Sequence, residues 1–249
     1  MLNKHRFAAA LAFGGISLIC SSAAAETIEQ VEKKLTDAFA KVTTMQSKLK
    51  STIDSGAEGL KIKTITDGTY EYAKNGRKAM FRVDTKTTMT TEMGAQTNSR
   101  VVISTTINDG DNIYTLTDES GKKQAVRTRA DSAADQPVFE SMRKSYNIKL
   151  MPDETINGVA VYVVEGRPKM TQSTMPDAGR TLNYFQKETG VAIKMVTFDP
   201  GGRPMMTTEY SDIKINPTIA PDRFTYKPIP GVELQDMTAG APPKPMGGK

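Results

Sequence analysis

The chemistry open to this chain of 249 residues is limited by what its sequence lacks. It contains one histidine, His5, one cysteine, Cys20, and no tryptophan. Beyond Cys20 there is neither an imidazole nor a thiolate, which excludes Ser/His/Asp triads, Cys/His nucleophiles and ordinary zinc, haem or iron–sulfur sites. Carboxylate, lysine or tyrosine chemistry is still open to the chain, as is binding without catalysis.

The first 25 residues have the three parts of a secretory signal peptide. Lys4 and Arg6 form a basic start, residues 7–20 form an apolar run, and alanines near the end fit the A-x-A pattern of signal peptidase. We therefore expect export to the periplasm, with cleavage after Ala25 and a mature chain that begins at Glu26.

A lipoprotein leader is the alternative interpretation, because Cys20 could be acylated after cleavage. Ile19 disfavours it, since that processing prefers a small residue before the cysteine.

Without Lys4 and Arg6, 31 of the 33 basic residues remain against 28 acidic residues, a net charge of +3. These charges are scattered, and no basic stripe is interleaved with aromatics, so we do not expect a nucleic-acid partner.

Apolar residues spaced by three or four predict an amphipathic helix from Glu26 to about Lys50. Its apolar stripe consists of Ile28, Val31, Leu35, Phe39, Val42, Met45 and Leu49. A second, short helix is predicted from Gln136 to Tyr146, where Pro137 suits the first turn and Val138 and Met142 share a face with Tyr146.

After Ser51 the pattern changes to short runs of Val, Ile, Thr and Tyr, which is typical of a many-stranded antiparallel sheet. Turn residues predict hairpins at Asp67-Gly68, Asn75-Gly76, Asp109-Gly110, Asn157-Gly158 and Gly201-Gly202. The predicted strands cover residues 60–66, 69–74, 79–88, 100–107, 112–117, 124–128, 148–150, 159–165, 180–186, 191–198, 204–215 and 224–226. We expect one domain over residues 26–237 and a disordered tail from 238 to 249, which is rich in proline and glycine.

A broad curved sheet with one long helix predicts a cavity, because one helix is too narrow to fill the face that it covers. The run from Val159 to Val164 is apolar on both faces, as expected where a sheet is covered twice. Alternation along the strands gives the residues expected to line the cavity: Phe81, Val83, Val101, Ile103, Val161, Val163, Ile193 and Met195.

Several segments, in order, resemble the LolA-like family of periplasmic lipoprotein carriers. They are the Gly-x-aromatic-x-aromatic run at 68–72, Phe-Arg at 81–82, the Asp-Gly hairpin at 108–114, Asn-Gly-Val at 157–162, the Thr-Gly hairpin at 184–190, and the closing sequences at 210–216, 224–226 and 228–232. The resemblance implies a mainly β (α+β) fold, a strongly curved antiparallel sheet or unclosed β-barrel of about 11 strands. The N-terminal helix and the second short helix would cover the apolar cavity.

The resemblance also implies a function, which is to carry acylated lipoproteins or lipids from an inner-membrane donor to an outer-membrane acceptor. A basic residue near the second and third strands would handle the ligand, and Lys74, Arg77 and Arg82 are the candidates. The alternative is an envelope sensor or scaffold of the same fold that binds lipid or lipoprotein and regulates a protein partner. We expect a monomer without a cofactor. The absence of tryptophan and the Thr- and Met-rich segment at 85–97 depart from the carrier pattern.

Other site hypotheses have less support. The chain has 14 methionines, all but Met1 beyond the leader, and flexible thioethers suit an adaptable apolar pocket. Residues 109–112 could suggest a calcium loop, but the remaining ligands are missing and a hairpin turn explains them. Carboxylates at 131, 135, 153 and 154 could support acid/base catalysis, but loop acids usually lie in solvent. We therefore expect neither an enzyme nor a metal site.

Overall fold

A computed structural model describes residues 26–130, 139–169 and 179–238. The predicted signal peptide, the predicted tail beyond Thr238 and the carboxylates Asp131 and Asp135 lie outside the described residues. None of the described helices is long and apolar enough to cross a membrane.

The N-terminal helix, α1, spans Ile28–Phe39, and a capping box fixes its start. The Thr27 hydroxyl accepts a hydrogen bond from the Gln30 amide, and the Gln30 side chain accepts one from the Thr27 amide. The predicted helix is confirmed only to Phe39, because residues 44–57 form a strand. Met45 and Leu49 are four apart, a spacing that satisfies both a helical period near 3.6 and a strand period of 2.

In the described part of the chain, twelve strands form a single sheet. They are β1 (Thr44–Ala57), β2 (Leu60–Asn75), β3 (Lys78–Met93), β4 (Gln96–Asn108), β5 (Asn112–Glu119), β6 (Lys122–Arg129), β7 (Tyr146–Ile156), β8 (Val159–Pro168), β9 (Arg180–Gln186), β10 (Ala192–Phe198), β11 (Pro204–Ile215) and β12 (Leu234–Asp236). Their order is β12-β6-β5-β4-β3-β2-β1-β11-β10-β9-β8-β7. The sheet is curved and unclosed, and all neighbours are antiparallel except β12 and β6, so it is mixed rather than wholly antiparallel.

Four of the five predicted hairpin turns are confirmed, and Gly76, Gly110, Gly158 and Gly202 have the positive φ angles expected there. The turn at Asp67-Gly68 is wrong, because β2 passes straight through it. A Cβ on Gly68 would lie 2.3 Å from the Asp84 carbonyl oxygen, so this glycine allows close approach of β3.

The second helix, α2, spans Glu140–Ser145. It is shorter than predicted, since Tyr146 already belongs to β7, and the predicted start at residues 136–138 lies outside the described residues. An ion pair between Arg143 and Glu32 joins α2 to α1.

The strand predicted at 224–226 is wrong, because Pro221–Phe224 forms a 3₁₀ turn and the last strand is β12.

Strand register divides the sheet into two faces, since residues directly opposite each other share a face and neighbours along a strand alternate. Tyr72 lies opposite Phe81, and Phe39 of α1 packs on Tyr72 with ring centroids 5.5 Å apart. We call this the helix face. Glu71 and Arg82, also partners in register, belong to the opposite face.

Residues 217–233, between β11 and β12, cross that opposite face, and we call them the strap and the surface beneath them the strap face. Arg223 of the strap pairs with Glu71 and Asp84. Tyr226 stacks on Tyr114 of β5, with ring centroids 4.6 Å apart. Between strap and sheet lies a cavity of about 380 Å³.

Two apolar clusters form the core. On the helix face, Val31 and Leu35 of α1 pack with Phe139, Tyr162, Val164 and Phe185. The second cluster contains Val161, Val163, Tyr184, Ile193 and Val196, together with Val42, Met45 and Tyr72. Both faces of β8 are therefore buried, as its apolar sequence predicted.

Candidate functional site

The helix face remains open where the central strands run beyond α1. Most apolar side chains on this part of the face are half-buried, neither enclosed in the core nor fully in solvent, and Met93 at the far end of β3 is exposed. The register of β11, β1, β2 and β3 places on it Leu49, Ile53, Ile62, Tyr70, Val83, Met89, Met206 and Tyr210. We call this surface the open helix face.

The alternate positions of the same strands carry charge. On the strap face of β1, β2 and β3 the exposed residues include Lys48, Lys50, Lys63, Asp67 and Lys86. The contrast shows that the long strands have one solvated face and one face that is only partly protected from water.

Four hydroxyl residues cross the middle of the open helix face in one row of directly opposite partners, Thr208, Ser51, Thr66 and Thr87. Their hydroxyls are hydrogen-bonded in pairs, Ser51 with Thr208 at 3.0 Å and Thr66 with Thr87 at 2.9 Å. Because each pair satisfies much of its own polarity, this row is less polar than its composition suggests.

A second group of hydroxyls lies nearer to α1. Ser47 is opposite Tyr70, and the rings of Tyr70 and Tyr210 meet edge-on with centroids 6.0 Å apart. Burial raises the pKa of Tyr70 well above the ordinary tyrosine value, and the neighbouring phenols of Tyr210 and Tyr72 add to this. Burial also raises the pKa of Tyr210. Both phenols therefore remain protonated donors at physiological pH.

A smaller apolar cavity opens where β10 and β11 separate. Their pairing ends at Lys194 and Glu209, whereas β11 continues beside β1 as far as Ile215. The resulting space of about 370 Å³ is lined by Ile156, Val159, Ile193, Ile213 and Ile215, among others. An ion pair of 2.7 Å between Lys194 and Glu209 stands at its edge.

The structure does not bring the eight predicted lining residues together. Phe81, Val83 and Met195 lie on the helix face, whereas Ile193 lines the space between β10 and β11. Val161 and Val163 are enclosed in the core on the strap-face side of β8, so they cannot line an open cavity.

Val101 and Ile103 lie on the strap face rather than with Phe81 and Val83, and Ile103 contributes to the lining of the cavity beneath the strap. Ile103 lies opposite Lys86 and Asp118 on the strap face and is 56% exposed, and Val101 lies on the same face opposite Thr88. Alternation correctly pairs Val101 with Ile103, but only the register with β3 tells which face the pair occupies.

The three candidate basic residues are likewise separated. Arg82 is on the strap face, where it donates two hydrogen bonds to Asp84 at 2.7 and 2.9 Å. Lys74 is on the helix face at the end of β2, and Arg77 is exposed in the turn before β3. Of the three, only Lys74 shares the face on which α1 packs.

Sequence reasoning missed the residues of β1 and β11 on the open helix face, including Ser47, Leu49 and Tyr210. The signal was present in the alternation of Met45, Ser47 and Leu49, which was interpreted as part of a helix. Ser47 is 6% exposed, and its Oγ has no hydrogen-bond partner among the described residues.

The Asp-Gly turn before β5 is a hairpin. Asp109 Oδ1 accepts hydrogen bonds from the amides of Asp111 and Asn112 at 2.9 and 2.7 Å, and the Asp111 carboxylate pairs with Lys78. Asp153 pairs with Lys187. In the described part of the chain, no group of three or more acidic, histidine or cysteine side chains could hold a metal ion.

In the described residues, a leading helix, a curved unclosed sheet of twelve strands and a short second helix before β7 make up the fold, which is the architecture that the sequence resemblance implied. No protein-family model matches the sequence. No curated protein matches it either.

Among solved structures, the chain is similar to an uncharacterized conserved protein from Thermus thermophilus, with 9% identity, a TM-score of 0.52, and coverage of 83% of this chain and 98% of that one. A putative outer membrane lipoprotein-sorting protein domain from Vibrio parahaemolyticus has 11% identity, coverage of 79% and 96%, and a TM-score of 0.36. The Pseudomonas aeruginosa MucA/MucB complex matches with 12% identity, coverage of 79% and 60%, and a TM-score of 0.41. These likenesses concern the fold alone.

Proposed function

We propose that the protein is a periplasmic carrier that binds the acyl chains of lipoproteins or lipids on the open helix face and moves them toward the outer membrane. One observation carries the proposal: half-buried apolar side chains line this face, whereas charges occupy the other face of the same strands. Half-exposed apolar surface is costly in water, and covering it with a hydrocarbon chain recovers about 0.8 kcal/mol per CH₂ group.

The length of the face suits such a ligand. Tyr70 and Ile62 are eight residues apart on β2, which corresponds to about 26 Å at a rise of ~3.3 Å per residue. One leaflet supplies about half of the ~30 Å hydrocarbon core of a bilayer, so an acyl chain lying along β2 fits within this length. The methionines Met89 and Met206 give the surface flexible side chains that can adapt to chains of different shape.

The function proposed is binding and transfer rather than catalysis. A carrier has to release its ligand, and a face that stays partly open offers a route for a chain to leave without unfolding the sheet. Export to the periplasm follows from the predicted signal peptide, and it belongs to the same proposal.

Two neighbouring substitutions on β1 test the site. Ile53 lies on the open helix face opposite Thr64 and Met206, whereas Thr52 lies on the strap face opposite Ile65 and Thr207. We expect Ile53→Glu to weaken binding of a fluorescent fatty-acid probe at least tenfold, because a carboxylate facing hydrocarbon loses hydration without a partner. Thr52→Glu should bind within twofold of the parent. Equal binding by both folded variants would place the site elsewhere.

Transfer is measured separately, by following a fluorescent phospholipid from donor vesicles to acceptor vesicles of the same composition. A carrier should raise the transfer rate in proportion to its concentration, and Ile53→Glu should abolish the increase. Binding of the probe without any transfer would contradict the carrier function and favour the sensor of the same fold.

A further inference from the structure

The hydroxyl of Ser47 is deeply buried at the α1 end of the open helix face and has no hydrogen-bond partner among the described residues. Alternation places its side chain on the helix face, between Met45 and Leu49 and opposite Tyr70. A buried hydroxyl without a partner is destabilising, so a ligand atom that accepts its hydrogen bond would be favoured at this position.

The surroundings of Ser47 determine what kind of acceptor fits. Its neighbours on the face are the phenols of Tyr70 and Tyr210, which remain protonated donors, and the apolar side chains of Met45 and Leu49. A carboxylate would lose hydration among these groups without gaining a cation, whereas an uncharged carbonyl oxygen accepts one or two hydrogen bonds there.

The hydroxyls of Thr208, Ser51, Thr66 and Thr87 differ from that of Ser47 because they already have hydrogen-bond partners. Ser51 bonds with Thr208, and Thr66 bonds with Thr87. The hydroxyl in need of an acceptor, that of Ser47, is therefore at the α1 end of the open helix face, and the apolar side chains continue from there toward Ile62. A ligand with a carbonyl at one end of a hydrocarbon chain matches this arrangement in both chemistry and direction.

We infer that the open helix face recognises the carbonyl group of an ester- or amide-linked acyl chain, with Ser47, Tyr70 and Tyr210 as its hydrogen-bond donors. The inference rests on the proposed function and adds the chemical class of the ligand. The chain enters with its carbonyl beside Ser47 and its hydrocarbon along β2. An ester would come from a glycerolipid and an amide from an N-acylated protein, and both offer the same acceptor.

The test uses the full exported chain and three probes of equal length that carry a terminal pyrene: a hydrocarbon, a methyl ester and an N-methyl amide. We expect Ser47→Ala to weaken ester or amide binding about three- to tenfold, the loss of one hydrogen bond, while hydrocarbon binding stays within twofold. Thr52→Ala is the matched control, because Thr52 carries a hydroxyl on the same strand but on the strap face, opposite Ile65. It should leave all three affinities within twofold.

Melting of the free protein supplies a second readout. Ser47→Ala removes a buried hydroxyl that has no partner among the described residues, so its melting temperature should equal or exceed that of the parent. Tyr210→Phe keeps the ring contact with Tyr70 and should also lower ester or amide binding alone. A preference for the ester over the amide would indicate glycerolipids, and the reverse would indicate acylated proteins.

The outcomes separate the two claims. If Ser47→Ala binds all three probes as the parent does, carbonyl recognition is wrong while chain binding stands. If the parent binds the hydrocarbon as tightly as the ester and the amide, carbonyl recognition is again wrong. If the parent binds none of the probes, the proposed function fails and this inference fails with it.

Discussion

Arg223 Nε donates a hydrogen bond to Glu71 Oε2 at 2.8 Å, although 152 residues separate the two along the chain. The contact attaches the strap to the C-terminal part of β2. Glu71 is buried and also accepts a hydrogen bond from Gln46 Nε2 at 3.0 Å, so its carboxylate depends on these partners.

Removing Arg223 should therefore destabilise the fold. Arg223→Ala leaves the Glu71 carboxylate buried without its cation, and we expect a loss of about 1–3 kcal/mol in the free energy of unfolding, less than for a fully enclosed pair because Arg223 is partly exposed. Urea denaturation measures it. Lys227→Ala is the control, since Lys227 and Asp222 form an exposed pair on the same strap that should contribute under about 0.5 kcal/mol. Equal midpoints for both variants would show that the strap is not anchored by Arg223.

Stability should fall in acid partly through Asp84. Burial alone would raise the pKa of this carboxyl, but hydrogen bonds from Arg82 and Thr105 outweigh burial and hold the pKa below its ordinary value of 3.8. A carboxyl with a lowered pKa in the folded state contributes stability above its ordinary pKa and loses that contribution as pH falls through the folded-state pKa. Unfolding free energies between pH 6 and pH 3 should therefore decline less steeply for Asp84→Asn than for the parent, and parallel curves would contradict this role.

Docking of α1 depends on Leu35, which is fully buried with Val164 and Phe185. We expect Leu35→Ala to cost about 2–5 kcal/mol of unfolding free energy, because it leaves a cavity under the helix. Lys33→Ala, on the exposed side of α1 in an ion pair with Asp37, should cost under about 0.5 kcal/mol. Thermal or urea unfolding distinguishes the two, and a small effect of Leu35→Ala would mean that α1 is weakly attached.

Gly68 offers a test of the continuous β2 strand. Since a Cβ at this position would meet the Asp84 carbonyl oxygen at 2.3 Å, we expect Gly68→Ala to lower the free energy of unfolding by about 1–3 kcal/mol. Thr69→Ala, next to it on the exposed strap face, should change it by no more than about 1 kcal/mol. Should Gly68→Ala be as stable as the parent, the close approach of β2 and β3 would be in error.

Local patterns in the sequence were enough to determine most of the segments that become strands and where most of them turn, although they missed β1 and β12. Gly76, Gly110 and Gly158 follow residues that favour turns, and each adopts the positive φ that the hairpin requires. The start of α1 is equally local, because Thr27 and Gln30 satisfy each other within one turn. Such features depend on neighbouring residues, so the sequence carries them directly.

Only the tertiary structure determined how the ambiguous segments fold and which face of the sheet each side chain occupies. Asp67-Gly68 has the composition of a turn, yet pairing with β1 and β3 keeps it in a strand, and Met45 and Leu49 fit a helix until β2 and β11 pair on either side of them. Ile103 shows the same limit for the site: alternation relates it to Val101, but the face it occupies depends on register with Lys86. A shift of one residue exchanges the two faces of a strand, so which side chains face a ligand is determined by long-range pairing and not by local pattern.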